Sequence, residues 1–316
     1  MRMKTRITQM LNIEYPIIQA GMSWASSCAA LPVAVSEAGG LGVIAAGPMY
    51  EQDFRKVLET VRASTDKPFG VNIPLYRPGA QAFLDLAYEF RVPVIFASQG
   101  GPAKHLARFQ DIGTRWVHVV STLEHAAKAA AAGVDALAVV GGEAGGHPPA
   151  NEVSSLVVVR KAVRDFDLPI IGGGGVADGY GIAAMLALGA DAVQLGTRFL
   201  MTQEASVHEA YKTLAVATGV DGTQLVGRKG LPVRMIRNEF ADHMQQVDQT
   251  VTDKEEYEAQ FRKSTLKQAA LEGNVSWGKV EVGQSVGLVD HILPVREVMQ
   301  QLVQELNAAR QALSQI

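Results

Sequence analysis

The segment Gly141-Gly142-Glu143-Ala144-Gly145-Gly146-His147-Pro148-Pro149 concentrates more chemistry than any other stretch of this chain. His147 is a side chain that gains or loses a proton near neutral pH. The glycines before it let backbone approach a ligand closely. Just upstream, Ala136-Leu137-Ala138-Val139-Val140 reads as a buried parallel strand, so the histidine stands at a strand's C-terminal lip. A lone histidine is more often structural; this placement points instead to proton transfer. Glu143 admits three roles: cap of the next helix, partner that orients His147, or polar contact to a ligand.

A second cluster suits an anion. Gly172-Gly173-Gly174-Gly175 and Gly196-Thr197-Arg198 both follow apolar runs. Four glycines in a row cost chain entropy that packing does not explain. Backbone N–H groups of two such turns can surround a phosphate, with the Thr197 hydroxyl adding a hydrogen bond. Elsewhere, Gly21 permits close approach, the Met22 amide could face a flat ring, and Asn72 carries a side-chain amide. Asp178 reads as a helix cap. His118 reads as core or support rather than ligand contact, and Cys28 as a small packing residue. No set of His, Cys, Asp and Glu has metal-ligand spacing, so no metal site is expected.

These residues need elements to position them. Strand candidates are 17–20, 42–45, 69–72, 94–97, 116–119, 136–140, 170–171 and 192–195, with Pro16, Pro68, Pro93 and Pro169 just before four of them. Helical patterns lie between, over 54–62, 80–90, 123–132 and 179–188. Eight alternations without an early Gly-x-Gly-x-x-Gly predict an α/β fold, a (β/α)8 TIM barrel, rather than an open doubly wound sheet. In such a barrel the strand ends named above share one face, and the turns after strands seven and eight hold phosphate. Residues 207–218 look helical. Residues 221–283 are richer in charge and lack strand signals, and the charge run 250–258 reads as a solvated face. The expectation is a mostly helical cap over 206–283, inserted after the eighth strand, with 1–205 and 284–316 forming the barrel. Residues 292–314 look like an amphipathic closing helix.

Composition narrows the class. The 316 residues carry a formal net charge of −3, which argues against nucleic acid as a partner. The one cysteine suits a reducing compartment. The basic start lacks a signal-peptide core, and no stretch approaches the roughly 20 apolar residues of a membrane span. A cytoplasmic protein is expected. The architecture is compatible with a homodimer, and no residue pattern fixes the oligomeric state.

The segments Gln19-Ala20-Gly21-Met22, Asp66-Lys67-Pro68-Phe69-Gly70-Val71-Asn72, Glu143-Ala144-Gly145-Gly146-His147 and Gln194-Leu195-Gly196-Thr197-Arg198-Phe199 occur in that order. Together they resemble the nitronate monooxygenase (2-nitropropane dioxygenase) family of FMN flavoproteins, a group that includes the flavin-dependent enoyl-acyl-carrier-protein reductases. The resemblance covers nearly the whole chain. It implies FMN phosphate on Gly173, Gly174, Gly175, Gly196 and Thr197. It implies flavin contacts from Gly21, Met22, Asn72 and Gln194, with Ala144 and Gly145 close by, and His147 as the catalytic histidine.

Within that resemblance the expected activity is oxidative denitrification of alkyl nitronates with O2. The alternatives are an NAD(P)H-dependent enoyl reductase, an NADH:quinone reductase and, below these, a flavin-binding barrel without turnover. The opening Met3-Lys4-Thr5-Arg6-Ile7-Thr8 looks like the reductases, whereas Gly230-Leu231-Pro232-Val233-Arg234-Met235 looks like the nitronate branch. Pro148-Pro149 departs from the usual residues after the histidine and puts the substrate in question. Arg228, Lys229, Arg234 and Arg237 could meet a nucleotide phosphate or an acidic carrier protein, or could be a solvated face with structural salt bridges.

Overall fold

The eight apolar runs form eight parallel strands in the computed structural model, which describes residues 3–315. They are β1 (Ile17–Gln19), β2 (Gly42–Ala45), β3 (Phe69–Pro74), β4 (Val94–Ser98), β5 (Arg115–Val120), β6 (Ala136–Val140), β7 (Ile170–Gly173) and β8 (Ala192–Leu195). The ladder runs β1-β8-β7-β6-β5-β4-β3-β2. Because strand side chains alternate, each strand serves two cores. Ile18, Val43, Val94, Phe96, Val117, Ala138 and Ile171 fill the barrel interior, where Ile7, Leu11 and Ile13 of the N-terminal segment join them. Ile17, Ile44, Val71, Ile95, Trp116, Leu137 and Val193 face the surrounding helices.

Closure between β1 and β2 uses a side chain. An isolated parallel bridge joins Ile18 to Leu41. Beyond it the buried Gln19 acts as a substitute strand edge: its Oε1 accepts from Val43 N at 3.0 Å and its Nε2 donates to Val43 O at 3.0 Å.

Seven helices follow β1 to β7 in turn, over Ala30–Glu37, Glu51–Ser64, Ala80–Glu89, Ala103–Gln110, Leu123–Ala132, Ser155–Asp165 and Gly179–Ala187. The eighth, Val295–Leu313, packs on both Gly179–Ala187 and Ala30–Glu37 and so completes the outer ring. Gly179 allows that approach, since a Cβ there would run into Leu306 backbone. Asp178 caps its helix as expected, accepting from Gly181 N at 2.7 Å.

The excursion after β8 holds helices Glu209–Val216, Glu239–Thr250, Lys254–Phe261 and Leu266–Ala270. It also holds an antiparallel hairpin, β9 (Thr223–Val226) with β10 (Val233–Ile236). This corrects the expectation that 221–283 lacks strands. Each hairpin strand has only four residues, and β10 is buried throughout, so neither shows the polar–apolar alternation that marks a half-exposed strand. The hairpin and its helices share a core of Val226, Val233, Met235, Phe240, Met244, Val247 and Tyr257.

Candidate functional site

His147 and the residues that the resemblance assigns to the flavin all line one cavity of about 1310 Å³ at the C-terminal end of the barrel. Gly21 and Met22 follow β1, and Asn72 sits in β3. Ala144, Gly145 and His147 follow β6, Gly173 to Gly175 end β7, Gln194 lies in β8, and Gly196 and Thr197 follow it. Parallel strands of a barrel deliver their C-terminal ends to one face, which is why residues 176 positions apart in sequence meet here.

The glycines divide by cause. Gly174 and Gly175 have φ of +99° and +76°, a conformation other residues rarely adopt. Gly21 and Gly145 are required by neighbours: a Cβ would overlap the Asn72 side chain at one and Val282 backbone at the other. Gly196 is different. The nearest protein atom to a Cβ there would be Met22 Sδ at 3.6 Å, an ordinary contact, so protein packing does not demand glycine.

Several side chains are fixed by bonds that the sequence did not disclose. Asn72 Nδ2 donates to Phe96 O at 3.0 Å. The Met22 amide N–H is taken by Ser26 Oγ at 3.0 Å. Thr197 Oγ1 accepts from Gly283 N at 2.9 Å, leaving its own hydrogen to donate. Glu143 resolves to the first of its three roles. Its carboxylate accepts from Ser155 N at 3.0 and 2.9 Å and from Ser155 Oγ at 3.0 Å, capping the helix after β6.

His147 is exposed to the chamber while Pro148 and Pro149 are buried beneath it. The His147 Nδ1 lies 3.1 Å from the Pro232 carbonyl. A carbonyl only accepts, so Nδ1 carries the hydrogen and Nε2 is the ring atom left for proton transfer. The histidine loop is itself held by β10: Gly146 N donates to Arg234 O at 3.1 Å and Arg234 N to Gly146 O at 2.7 Å. The Arg234 side chain is buried, donates from Nε to Gly142 O at 3.2 Å and pairs with Glu152 at 2.8 Å. Arg228 pairs with the same carboxylate at 2.9 Å, and Lys229 Nζ donates to Val251 O at 2.6 Å. Of the four basic residues in this segment, three are thus tied into the fold, and Arg237 is exposed.

His118 lies in β5, buried, with burial lowering its pKa to about 4, so it is neutral at working pH. Arg198 is also buried, donates to Met201 O and His291 O, and holds the start of the excursion rather than the chamber. Cys28 packs among apolar neighbours, and burial raises its pKa. Among the described residues no group of His, Cys, Asp and Glu could hold a metal, and no helix is long and apolar enough to cross a membrane.

The chamber residues that the sequence did not reveal include Tyr211, Pro232 as a carbonyl, and Glu281. Tyr211 is buried and donates its hydroxyl to Glu281 O at 2.8 Å. Glu281 Oε2 would lie 3.2 Å from a Cβ on Gly146, which places the carboxylate against the histidine loop. Burial raises the Glu281 pKa, opposed by electrostatic interaction with His147 and Lys279. The signal available in the sequence was Val280-Glu281-Val282, an acid between two valines ahead of a glycine.

The family model described as nitronate monooxygenase matches residues 4–85 and 80–305. Among curated relatives, a nitronate monooxygenase of Paraburkholderia phytofirmans is 32% identical, over 99% of this chain and 98% of that protein. A hydroxy-methyl-oxo-octahydroindene-carboxyl-CoA dehydrogenase of Mycobacterium tuberculosis is 37% identical, over 78% of this chain and 69% of that protein. Among solved structures, FabK from Thermotoga maritima superposes with a TM-score of 0.93 at 40% identity, covering 99% of each chain.

Proposed function

The chain belongs to the nitronate monooxygenase family of oxidoreductases, and on that premise we propose that it is an FMN-dependent reductase of α,β-unsaturated thioesters that draws its electrons from NAD(P)H. The flavin fits the residues present. Gly196 leaves space that the protein does not fill, and Gly174 and Gly175 present main chain, not side chain, to the cavity. Gly173, Gly174, Gly175, Gly196 and Thr197 would hold its phosphate. Gly21, Met22, Asn72, Ala144, Gly145 and Gln194 would border the remainder.

When bound, the flavin supplies reversible two-electron chemistry. The chain's own contribution is position and proton supply. Pro232 holds the His147 Nδ1–H, so Nε2 is the atom that takes up a proton and, once protonated, delivers it to, or stabilises charge on, the substrate atom that becomes negative. The β10 strand and buried Pro148-Pro149 keep that ring in place.

The observation that carries the thioester reading is volume. A chamber of about 1310 Å³ exceeds the roughly 300–1,000 Å³ of an ordinary small-molecule site, leaving room beside a flavin for a long acyl chain. The likeness to FabK over both whole chains supports the same reading. A second reading, oxidation of alkyl nitronates with O2, is favoured by the family match and by relatives bearing that name. The deciding experiment is anaerobic mixing of the purified yellow protein with NADH or NADPH while following flavin absorbance. Bleaching within seconds is expected. No bleaching with either nucleotide, followed by bleaching with propyl nitronate, would transfer the assignment to nitronate oxidation.

A further inference from the structure

Glu281 is an acid that the proposed proton transfer does not use. It sits on the segment returning from the excursion to the barrel, and that segment is pinned at each step. Ile236 N donates to Val280 O at 2.9 Å, Tyr211 Oη to Glu281 O at 2.8 Å, Gly283 N to Thr197 Oγ1 at 2.9 Å, and Gln284 N to Glu143 O at 2.9 Å. Val280 and Val282 are both buried, so extended alternation turns Glu281 the other way, to the cavity wall. Among the described residues no hydrogen bond or ion pair ties down its carboxylate oxygens. The titratable groups facing it are His147 across the chamber, Lys279 on its own segment and the neutral Tyr211. Lys279 is held elsewhere, donating Nζ to Phe261 O at 3.1 Å.

An unpaired carboxylate on a pinned backbone, beside a catalytic histidine, costs stability wherever it is ionised. Such a cost is borne at functional sites more often than in packing positions. We propose that Glu281 is a specificity-determining residue that selects the charge of the substrate: its carboxylate repels anions from the His147 side of the chamber and admits uncharged acceptors. This deepens the reductase reading and rests on it, because an enoyl group is neutral and an alkyl nitronate is an anion. A like charge roughly 6 Å away in a half-solvated chamber weakens an anion about tenfold. Burial has moved the Glu281 pKa upward, so the discrimination switches on as pH rises through the range in which the carboxyl loses its proton.

The test compares two probes of matched shape, ethanesulfonate, which is anionic at every pH used, and ethyl methyl sulfone, which is neutral. Their dissociation constants are measured by titration calorimetry on the holoenzyme and on its Glu281→Gln and Glu281→Asp variants, between pH 5.5 and 8.5. In the native protein the sulfonate should weaken relative to the sulfone as pH rises. Glu281→Gln should tighten the sulfonate about tenfold at pH 8.5 and flatten that pH dependence, and Glu281→Asp should restore it. Thermal melting of each variant checks folding, and Glu281→Gln should melt no lower than the native protein at pH 8.5. A sulfonate-to-sulfone ratio that changes less than threefold on Glu281→Gln overturns the proposal, including the case in which neither protein binds sulfonate. Nucleotide bleaching of the same preparations judges the reductase reading separately, since the binding ratio requires no turnover.

Discussion

The Nδ1 of His147 is spent on the Pro232 carbonyl, which leaves one ring nitrogen, Nε2, for chemistry. Removing the ring removes a proton donor without touching the glycines of the cofactor cradle. His147→Ala is therefore expected to lower turnover by about 10²- to 10⁴-fold while flavin content, read from the absorbance ratio after purification, stays within a factor of two. Equal turnover would remove the catalytic assignment. Gly196 offers a complementary substitution. Its backbone, φ −101° and ψ −74°, is open to alanine, and the protein leaves space for the methyl group. Gly196→Ala should keep the apo fold within about 0.5 kcal/mol in urea unfolding yet release flavin at least tenfold more readily. Retained flavin affinity would show that the free space at Gly196 is not where the cofactor lies. The sequence made both residues legible because a histidine among glycines and a glycine after a strand are local signals. It hid Pro232 because a backbone acceptor from residues 85 positions away has no residue-type signature.

At the scale of elements, two devices hold the chamber together, and both use polar groups that pattern reading passes over. One is the β10 strand, whose reciprocal bonds to Gly146 pin the histidine loop to the hairpin edge through a single antiparallel bridge. Arg234 reinforces the join through Gly142 and Glu152. Arg234→Met should destabilise by about 2 kcal/mol, since Glu152 keeps Arg228 as a partner but Gly142 O loses its donor. The same variant should raise KM more than it lowers kcat, because it loosens the loop and leaves the imidazole intact; an unchanged KM would separate the hairpin from catalysis. The other device is Gln19. Gln19→Leu leaves the Val43 N–H and C=O without partners inside the wall and should cost about 2–4 kcal/mol, measured by urea unfolding. A cost below 1 kcal/mol would mean that the Leu41 bridge closes the barrel unaided. Charge alone had left Arg228, Lys229 and Arg234 open between ligand contact and salt bridge. Only the fold, by bringing Glu152 between two of them, decides for structure.

For the whole molecule, strand number and order were legible because parallel barrel strands are short, mostly apolar and spaced by helices, a pattern that survives without tertiary knowledge. The β9–β10 hairpin was not, because its residues are buried by the excursion's own core rather than by the barrel's. The barrel wall also contains its own acid sensor. His118 stands in β5 at the wall of the chamber, its Nδ1 has no hydrogen-bond partner among the described residues, and burial lowers its pKa to about 4. In the unfolded chain the same ring takes a proton near pH 6.5. Between those values the unfolded state binds more protons, so stability must fall as pH drops from 6.5 to 4, by roughly 2–3 kcal/mol from this residue alone. Glu281 acts with the opposite sign, since a carboxyl whose folded pKa is raised loses stability as pH rises through its window. Melting temperatures of the native protein and of His118→Gln, taken every half unit from pH 4.5 to 7.5, separate the two. The native curve should descend below pH 6.5, and the variant should lose that descent while keeping any decline toward alkaline pH. Parallel curves would mean that the β5 wall opens enough for water to reach His118, and that acid sensitivity lies in groups outside the barrel wall.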